Sequence, residues 1–377
     1  MKWVSGDLLR EKEGWIRARR LRSPLARDSG APVSGNATYY TITDEPFFVG
    51  TVALLNSLRL TGHEGEFVAL DCGLTPTQQR RLAQHARVVP AQRESGYWGY
   101  PLKPFAWHPE VDGVVVMIDS DMLITGSLDP LLRDAARGQI GVFVDLMAIL
   151  VDPPNRSFSE WQRTLGLAGP LRQQPYVNAG LIAFSVAAWP HFLDRWRETC
   201  RLAADASSDN GHRNLDWSQN PFAYPEQDAL NAILTSEVAP EALALYDYAL
   251  APITQARESV QLRDLGRLRC VHDSRDTLLL HNTGRPKQWE PRAWAAGPYT
   301  AFSQLLPRVL FSDDVALRLD PGELPRWLRP GLSGKTIRLG VKSLRAPLRR
   351  GSTILPRGVK AYISSQLRGW AGDPSPD

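Results

Sequence analysis

Cysteine is scarce in this chain: Cys72, Cys200 and Cys270 are the only three among 377 residues, and they stand far apart in no metal-binding spacing. That excludes a disulfide framework and a cysteine-based zinc site, and the three read as reduced thiols. No stretch approaches the roughly 18 apolar residues that a membrane-spanning helix needs. Residues 1–30 are basic, but Asp7, Glu11 and Glu13 interrupt them and they lack the apolar core of a secretory signal. The expected location is therefore the cytoplasm. Internal repeats are absent as well.

Acidic charge is missing from one place. Between Arg326 and Arg368 there are eleven Lys or Arg residues and no Asp or Glu, which leaves 33 basic against 40 acidic residues elsewhere. The net charge of +4 thus belongs to a tail, and the body is acidic. An acidic body is a poor partner for nucleic acid, and none is expected.

What is present is apolar and regularly punctuated. Hydrophobic residues make up 43% of the chain, enough for a large core. "TYYTITDEPFFVGTVALLNSL" (38–58) reads as strand, turn and helix, the helix carried by Val52, Leu55 and Leu58. "EFVAL" (66–70) and "RVVP" (87–90) read as strands around a helix that starts with Thr75 as N-cap, Pro76 at its first position and Gln78 closing a capping box. An aromatic loop (96–107), the strand "GVVVMI", "QIGVFVD" (139–145) and "YVNAGLIAFS" (176–185) follow. Strands alternating with helices imply an α/β fold with a mostly parallel sheet covered on both faces. Two stretches, 152–175 and 205–225, read as long loops.

"GVVVMIDSDM" (113–122) ends an apolar strand in two aspartates. Residues i and i+2 of extended chain point the same way, so Asp119 and Asp121 can converge on one point beyond the strand, where open α/β sheets bind ligands. Two anions held there repel unless a cation lies between them, and oxygen ligands suit Mg²⁺ or Mn²⁺ shared with a phosphate. A lone D-x-D is also compatible with a capped turn and a solvated acid. "LLLHNTGRPKQW" (278–289) is a second apolar strand with a polar end. Its His281 could complete the site and tilt preference toward Mn²⁺, Gly284 would admit a phosphate close to backbone, and Lys287 offers it a point charge. His272 is a rival ligand but does not end an apolar strand.

"HNTGRPKQW" resembles the H-x-x-G-x-x-K-P-W signature of family 8 glycosyltransferases, a group that includes glycogenin and bacterial lipooligosaccharide galactosyltransferases. In the same order, "TITDEPFFVGTVALLNSL" is similar to that family's first strand and helix, "YPLKPFAW" to its lysine-bearing helix start, "VMIDSDMLI" to its D-x-D strand, "YVNAGLIAFS" to its N-[AS]-G strand and "PEQDALNAIL" to its D-Q-D-x-x-N helix. The stations span residues 38–294. The resemblance implies a GT-A type, Rossmann-like α/β fold and a retaining transfer of a hexose-type sugar from a UDP-sugar to a hydroxyl acceptor. It implies that Asp119, Asp121 and His281 bind Mn²⁺ (or Mg²⁺), with Asp119 also near the ribose. Thr41 and Thr43, with Phe48 nearby, would line a uridine pocket. Lys103, Lys287 and Gly284 would meet the sugar or diphosphate, Asn178, Ala179 and Gly180 would border the donor sugar, and Glu226, Gln227 and Asp228 would lie near its anomeric carbon. Glu226 stands where the family has Asp, and Gln288 where it has Pro.

The implied organisation is a basic N-terminal extension (1–36), a catalytic domain (37–300) and a C-terminal helical and basic tail (301–377). The tail has apolar residues at helical spacing and reads either as a solvated extension or as a surface-lying anchor. In the second reading residues 326–368 meet anionic lipid, and the protein is peripheral on the inner face of the membrane. The acceptor, a glycan, lipid-linked sugar or metabolite, would depend on 152–175 and 205–225, where Trp161, Trp217, Phe222 and Tyr224 could stack on a sugar. Two competing readings are a nucleotidyltransferase, which would want a glycine-rich basic first loop, and a non-catalytic membrane- or nucleic-acid-binding protein acting through its tail.

Overall fold

The β-branched and aromatic run at 38–43 forms β1 (Ala37–Thr43), and the chain then turns through a 3-10 segment capped by the Asp44 side chain into α1 (Phe48–Leu60). The computed structural model describes residues 37–91, 103–104, 113–145, 150–152, 156–206, 220–253, 260–284, 286–290 and 300–329. β2 (Glu66–Asp71) leads to α2 (Pro76–Leu82), where Thr75 and Gln78 form the expected reciprocal capping box, and to β3 (Arg87–Pro90). β4 (Val114–Ile118) carries the apolar run, and a tight turn through Asp119–Asp121 opens β5 (Met122–Ile124). After these come α3 (Asp129–Ala136), β6 (Ile140–Val144), β7 (Leu150–Val151), α4 (Arg156–Thr164), β8 (Gln174–Pro175), β9 (Val177–Ser185), α5 (Phe192–Ala206) and α6 (Pro225–Ser236). The described chain closes with β10 (Leu243–Tyr246), β11 (Gln261–Asp264), β12 (Arg269–His272), β13 (Arg275–Asp276), β14 (Leu279–His281) and α7 (Ala301–Phe311).

Seven strands form one sheet in the order β10-β6-β9-β4-β1-β2-β3. All neighbours are parallel except β9, which runs antiparallel to both β4 and β6. Val114, Val116 and Ile118 enter a core shared with α1, α3 and α7, while Val115 and Met117 enter a second core shared with α4, α5 and α6. Helices on both faces explain why β4 alternates nothing and is apolar throughout.

Magnitudes show why two acids can be held at its end. Burying five such side chains contributes on the order of 10 kcal/mol. Two unit charges about 5 Å apart at an effective dielectric near 20 repel by about 3 kcal/mol. The strand wins, and neighbouring cations reduce the remaining cost.

One of the two stretches read as loops differs from that expectation, while residues 207–219 of the other lie outside the described residues. α4 lies inside 152–175 because Phe158, Trp161 and Leu165 recur at helical spacing and fill the second core. Trp161 is fully buried with its indole N–H donating to Pro221 O, and Phe222 is buried too, so neither can stack on a sugar. Tyr224 is half-buried, and Trp217 lies outside the described residues. Residues 301–328 pack on the body: Phe302, Leu305, Val309 and Trp327 are fully buried in the first core, and Asn56 of α1 clamps Val309 O, Leu317 O and Leu317 N. No helix among the described residues is long and apolar enough to cross a membrane.

Candidate active site

The turn after β4 is fixed by backbone. Asp119 N donates to Gly180 O of β9 at 2.8 Å, and Met122 N returns to Asp119 O at 3.1 Å. β5 then pairs antiparallel with β14, so that His281 lies opposite Met122, and Asn282 N donates to Asp121 O at 2.9 Å. This two-stranded pairing joins segments some 160 residues apart and delivers the imidazole to the two acids. One ligand atom from each of Asp119, Asp121 and His281 lies within 4.8 Å of the others. His281 Nε2 is 3.3 Å from Asp121 Oδ1 and 3.6 Å from Asp119 Oδ2. His272 sits elsewhere, edge-on to Tyr248 at 5.7 Å.

Two buried lysines complete the cluster. Lys103 Nζ is 2.5 Å from Asp119 Oδ1 and 3.2 Å from Glu226 Oε1, and it donates to Ala179 O at 2.8 Å. Lys287 Nζ pairs with Asp121 Oδ2, donates to Asn282 O at 2.9 Å and lies 5.3 Å from the centre of the Phe47 ring. Burial pulls the Lys103 ammonium down, but Asp119 and Glu226 outweigh it and hold the group above its ordinary value. Burial pushes the Asp121 carboxyl up, yet His281 and Lys287 outweigh it and hold it well below the usual carboxylate range. Glu226 goes the other way: burial raises it, Lys103 pulls it back only in part, and it ends at about 7.

Gly180 must be glycine for steric reasons. A Cβ there would meet Met122 Cε at 2.3 Å and both Asn178 Oδ1 and His281 Cε1 at 2.7 Å. Gly284 needs its freedom for another reason, its φ of +74°. Beyond it Trp289 donates its indole N–H to Pro46 O at 2.9 Å and meets Phe47 edge-on, tying the lysine-bearing loop to the turn before α1.

At the start of α6, Pro225 occupies the first turn with Glu226 and Asp228, a charge pattern favoured by the helix dipole. Gln227 Oε1 accepts from Ala179 N at 2.9 Å, and Gln227 Nε2 donates to Asp145 Oδ2 at 3.3 Å. Asn178 Nδ2 donates to the same oxygen at 2.8 Å. Asp145 therefore joins Asn178 to Gln227. Asp145 ends the apolar strand 139–145, the same signal that singles out Asp119, yet it is not among the site residues expected from the sequence. Asn282 was also missed. It is buried beside His281, and its side-chain N–H₂ has no partner among the described residues.

The other candidates stand further from the acids. Asp228 is fully buried with Oδ1 on the Tyr176 hydroxyl and Oδ2 on Tyr224 N, both at 2.7 Å. Phe48 packs in the first core with the Arg81 guanidinium over its ring. Thr43 accepts a 2.7 Å hydrogen bond from Thr51, whereas the buried Thr41 hydroxyl has no partner among the described residues. A narrow cleft opens beside His281 and Asn178, walled mainly by Phe143, Leu181, Tyr248 and Ile253.

Two acids and an imidazole beside two ammonium groups, all off the end of a central strand in a mixed α/β sheet, form a site that can hold a divalent cation next to a polyanion. No protein-family model matches the chain, and no curated protein matches it. Solved structures similar to it include the galactosyltransferase LgtC with donor and acceptor sugar analogues, at 18% identity over 74% of this chain and 98% of that one, with a TM-score of 0.46. The bifunctional glycosyltransferase WbbM in its apo form is similar at 13% identity over 77% of this chain and 50% of that one, with a TM-score of 0.49. The glycosyltransferase GlyE of Streptococcus pneumoniae TIGR4 is similar at 15% identity over 67% and 56%, with a TM-score of 0.38.

Proposed function

We propose that this protein is a retaining glycosyltransferase that moves a hexose-type sugar from a UDP-sugar to a hydroxyl acceptor with the help of Mn²⁺. The observation that carries this reading is the meeting of Asp119, Asp121 and His281 within 4.8 Å. Two carboxylate oxygens and one imidazole nitrogen suit Mn²⁺ better than Mg²⁺, which prefers oxygen alone. When bound, such an ion stabilises the negative charge that a departing diphosphate develops. The N–H₂ of Asn282 and the hydroxyl of Thr41, which have no partner among the described residues, fit a ligand rich in acceptors and donors.

The chain's own residues supply the rest. Lys103 and Lys287 neutralise phosphate charge, and Gly284 lets backbone approach it. Asn178, Ala179 and Gly180, braced by Gln227 and Asp145, border the sugar. Glu226 is 6% exposed behind Lys103, a poor position for a nucleophile. The reaction then proceeds by attack on the face that the diphosphate leaves, with a leaving phosphate oxygen taking the acceptor's proton. Glu226 and Gln227 stabilise the cationic sugar. A covalent sugar adduct trapped on Glu226 would refute this course.

The test is UDP release from a panel of UDP-sugars with and without Mn²⁺, using Asp121→Asn as the control. Mn²⁺-dependent release lost in the variant is expected, and no release from any donor overturns the reading. Within the basic stretch 326–368, the part from 330 onward, which lies outside the described residues, is proposed as the anchor on an anionic membrane surface.

A further inference from the structure

The three candidate metal ligands are not the only charges in contact. Each carboxylate is divided: Asp119 turns Oδ2 to His281 and Oδ1 to Lys103, while Asp121 turns Oδ1 to His281 and Oδ2 to Lys287. Both lysines are at least nine-tenths buried, and each has a backbone carbonyl as a second anchor, Ala179 O or Asn282 O. An ammonium removed from water in this way is stable only against its carboxylate. The lysines are therefore fixed parts of the site.

Their charges alter what the site can hold. Two bare aspartates present −2 to a divalent ion. With Glu226 ionised and both lysines counted, the five groups sum to −1, and each ammonium sits on an acid that would bind the ion. An imidazole on a metal is neutral and adds nothing. A nucleoside diphosphate brings the missing negative charge and oxygens that lysines and cation can share.

We propose that Lys103 and Lys287 make the site hold a divalent cation weakly by itself and firmly only together with a diphosphate, so that ion and nucleotide enter and leave as a coupled pair. This deepens the function proposed above and rests on it. Ammonium and cation repel across the shared carboxylates until the diphosphate is present, and linkage makes the effect reciprocal: the ion must raise nucleotide affinity by the same factor.

The experiment titrates the full chain with MnCl₂, alone and with saturating UDP, by calorimetry or by the electron paramagnetic resonance of free Mn²⁺. The wild type is expected to gain at least tenfold in Mn²⁺ affinity from UDP. Lys287→Met is expected to bind Mn²⁺ alone about tenfold more tightly than wild type, about 1.4 kcal/mol, and to gain correspondingly less from UDP. Lys103→Met, measured in parallel, is expected to shift the same way. Because each replacement leaves a buried acid without its cation, thermal melting first establishes that the variants fold.

Equal or weaker Mn²⁺ binding by folded Lys→Met variants overturns the inference and leaves the proposed function standing. So does a wild type whose Mn²⁺ affinity ignores UDP, a measurement that needs no variant. If wild type binds no Mn²⁺ with or without UDP, the metal reading falls and this inference with it.

Discussion

Gly180 of β9 and His281 of β14 lie so close that a Cβ on the glycine would stand 2.7 Å from the imidazole Cε1. The same Cβ would meet Met122 Cε at 2.3 Å, but a methionine terminus can swing aside, whereas His281 is held by its strand. Gly180→Ala must therefore push the imidazole from the two acids. The expected result is a Mn²⁺ affinity reduced tenfold or more, with a stability loss of about 1–3 kcal/mol from overpacking. Metal titration and thermal melting read the two effects separately. Unchanged Mn²⁺ affinity in a folded variant would show that His281 is not a ligand.

Asp145 accepts from two side-chain amides, Asn178 at 2.8 Å and Gln227 at 3.3 Å. Asp145→Ala removes the one oxygen that both donors share, so Gln227 loses its bracing. kcat is expected to fall about tenfold, roughly 1.4 kcal/mol, with KM for the UDP-sugar changed less. Restoring the carboxylate one methylene further away, in Asp145→Glu, should recover part of kcat. A variant as stable and as active as wild type would remove Asp145 from the site.

How much of this was legible in the sequence depended on the range of the interaction. β1 to β4, β6 and β9 were readable because propensity, caps and apolar runs are local, and Asp119, Asp121 and His281 each end such a run. The pairing of β5 with β14 was not, because three-residue strands carry little pattern and their partner is some 160 residues away. Trp161 looked like a loop aromatic because a nine-residue helix rich in Ser and Arg hides its apolar face until the second core is assembled, and Phe222 stands in irregular chain that the same core buries. Asp145 was overlooked because its role depends on Asn178 and Gln227, which approach it only across the sheet.

The packing of residues 301–328 on the body can be tested by truncation. Phe302, Leu305, Leu306, Val309, Leu310 and Trp327 are all fully buried. At about 1.5–3 kcal/mol each, their removal costs on the order of 10 kcal/mol, comparable to a whole domain's stability. A chain ending at residue 300 is expected to be insoluble, whereas one ending after Arg329 keeps these six side chains and is expected to fold. The latter, compared with the full chain, also tests the lipid anchor by cosedimentation with anionic vesicles, where equal binding by both would dispose of it.

Glu226 gives a pH prediction of definite sign. Burial raises its carboxyl from 4.5 to about 7 against the partial opposition of Lys103, so between those values the folded chain keeps a proton that the unfolded chain has released. Stability from this group is full below about pH 4.5 and is lost as pH rises through 7, by on the order of 3 kcal/mol. His63 works in the opposite sense: burial lowers it from 6.5, so its contribution is lost as pH falls below that value. The wild-type curve alone therefore mixes two slopes, and the comparison with Glu226→Gln separates them. Denaturant unfolding at intervals from pH 4.5 to 8 should show wild type losing stability relative to the glutamine variant as pH rises. A difference that stays constant over that range would mean that Glu226 titrates like a solvated acid, which its place behind Lys103 does not allow.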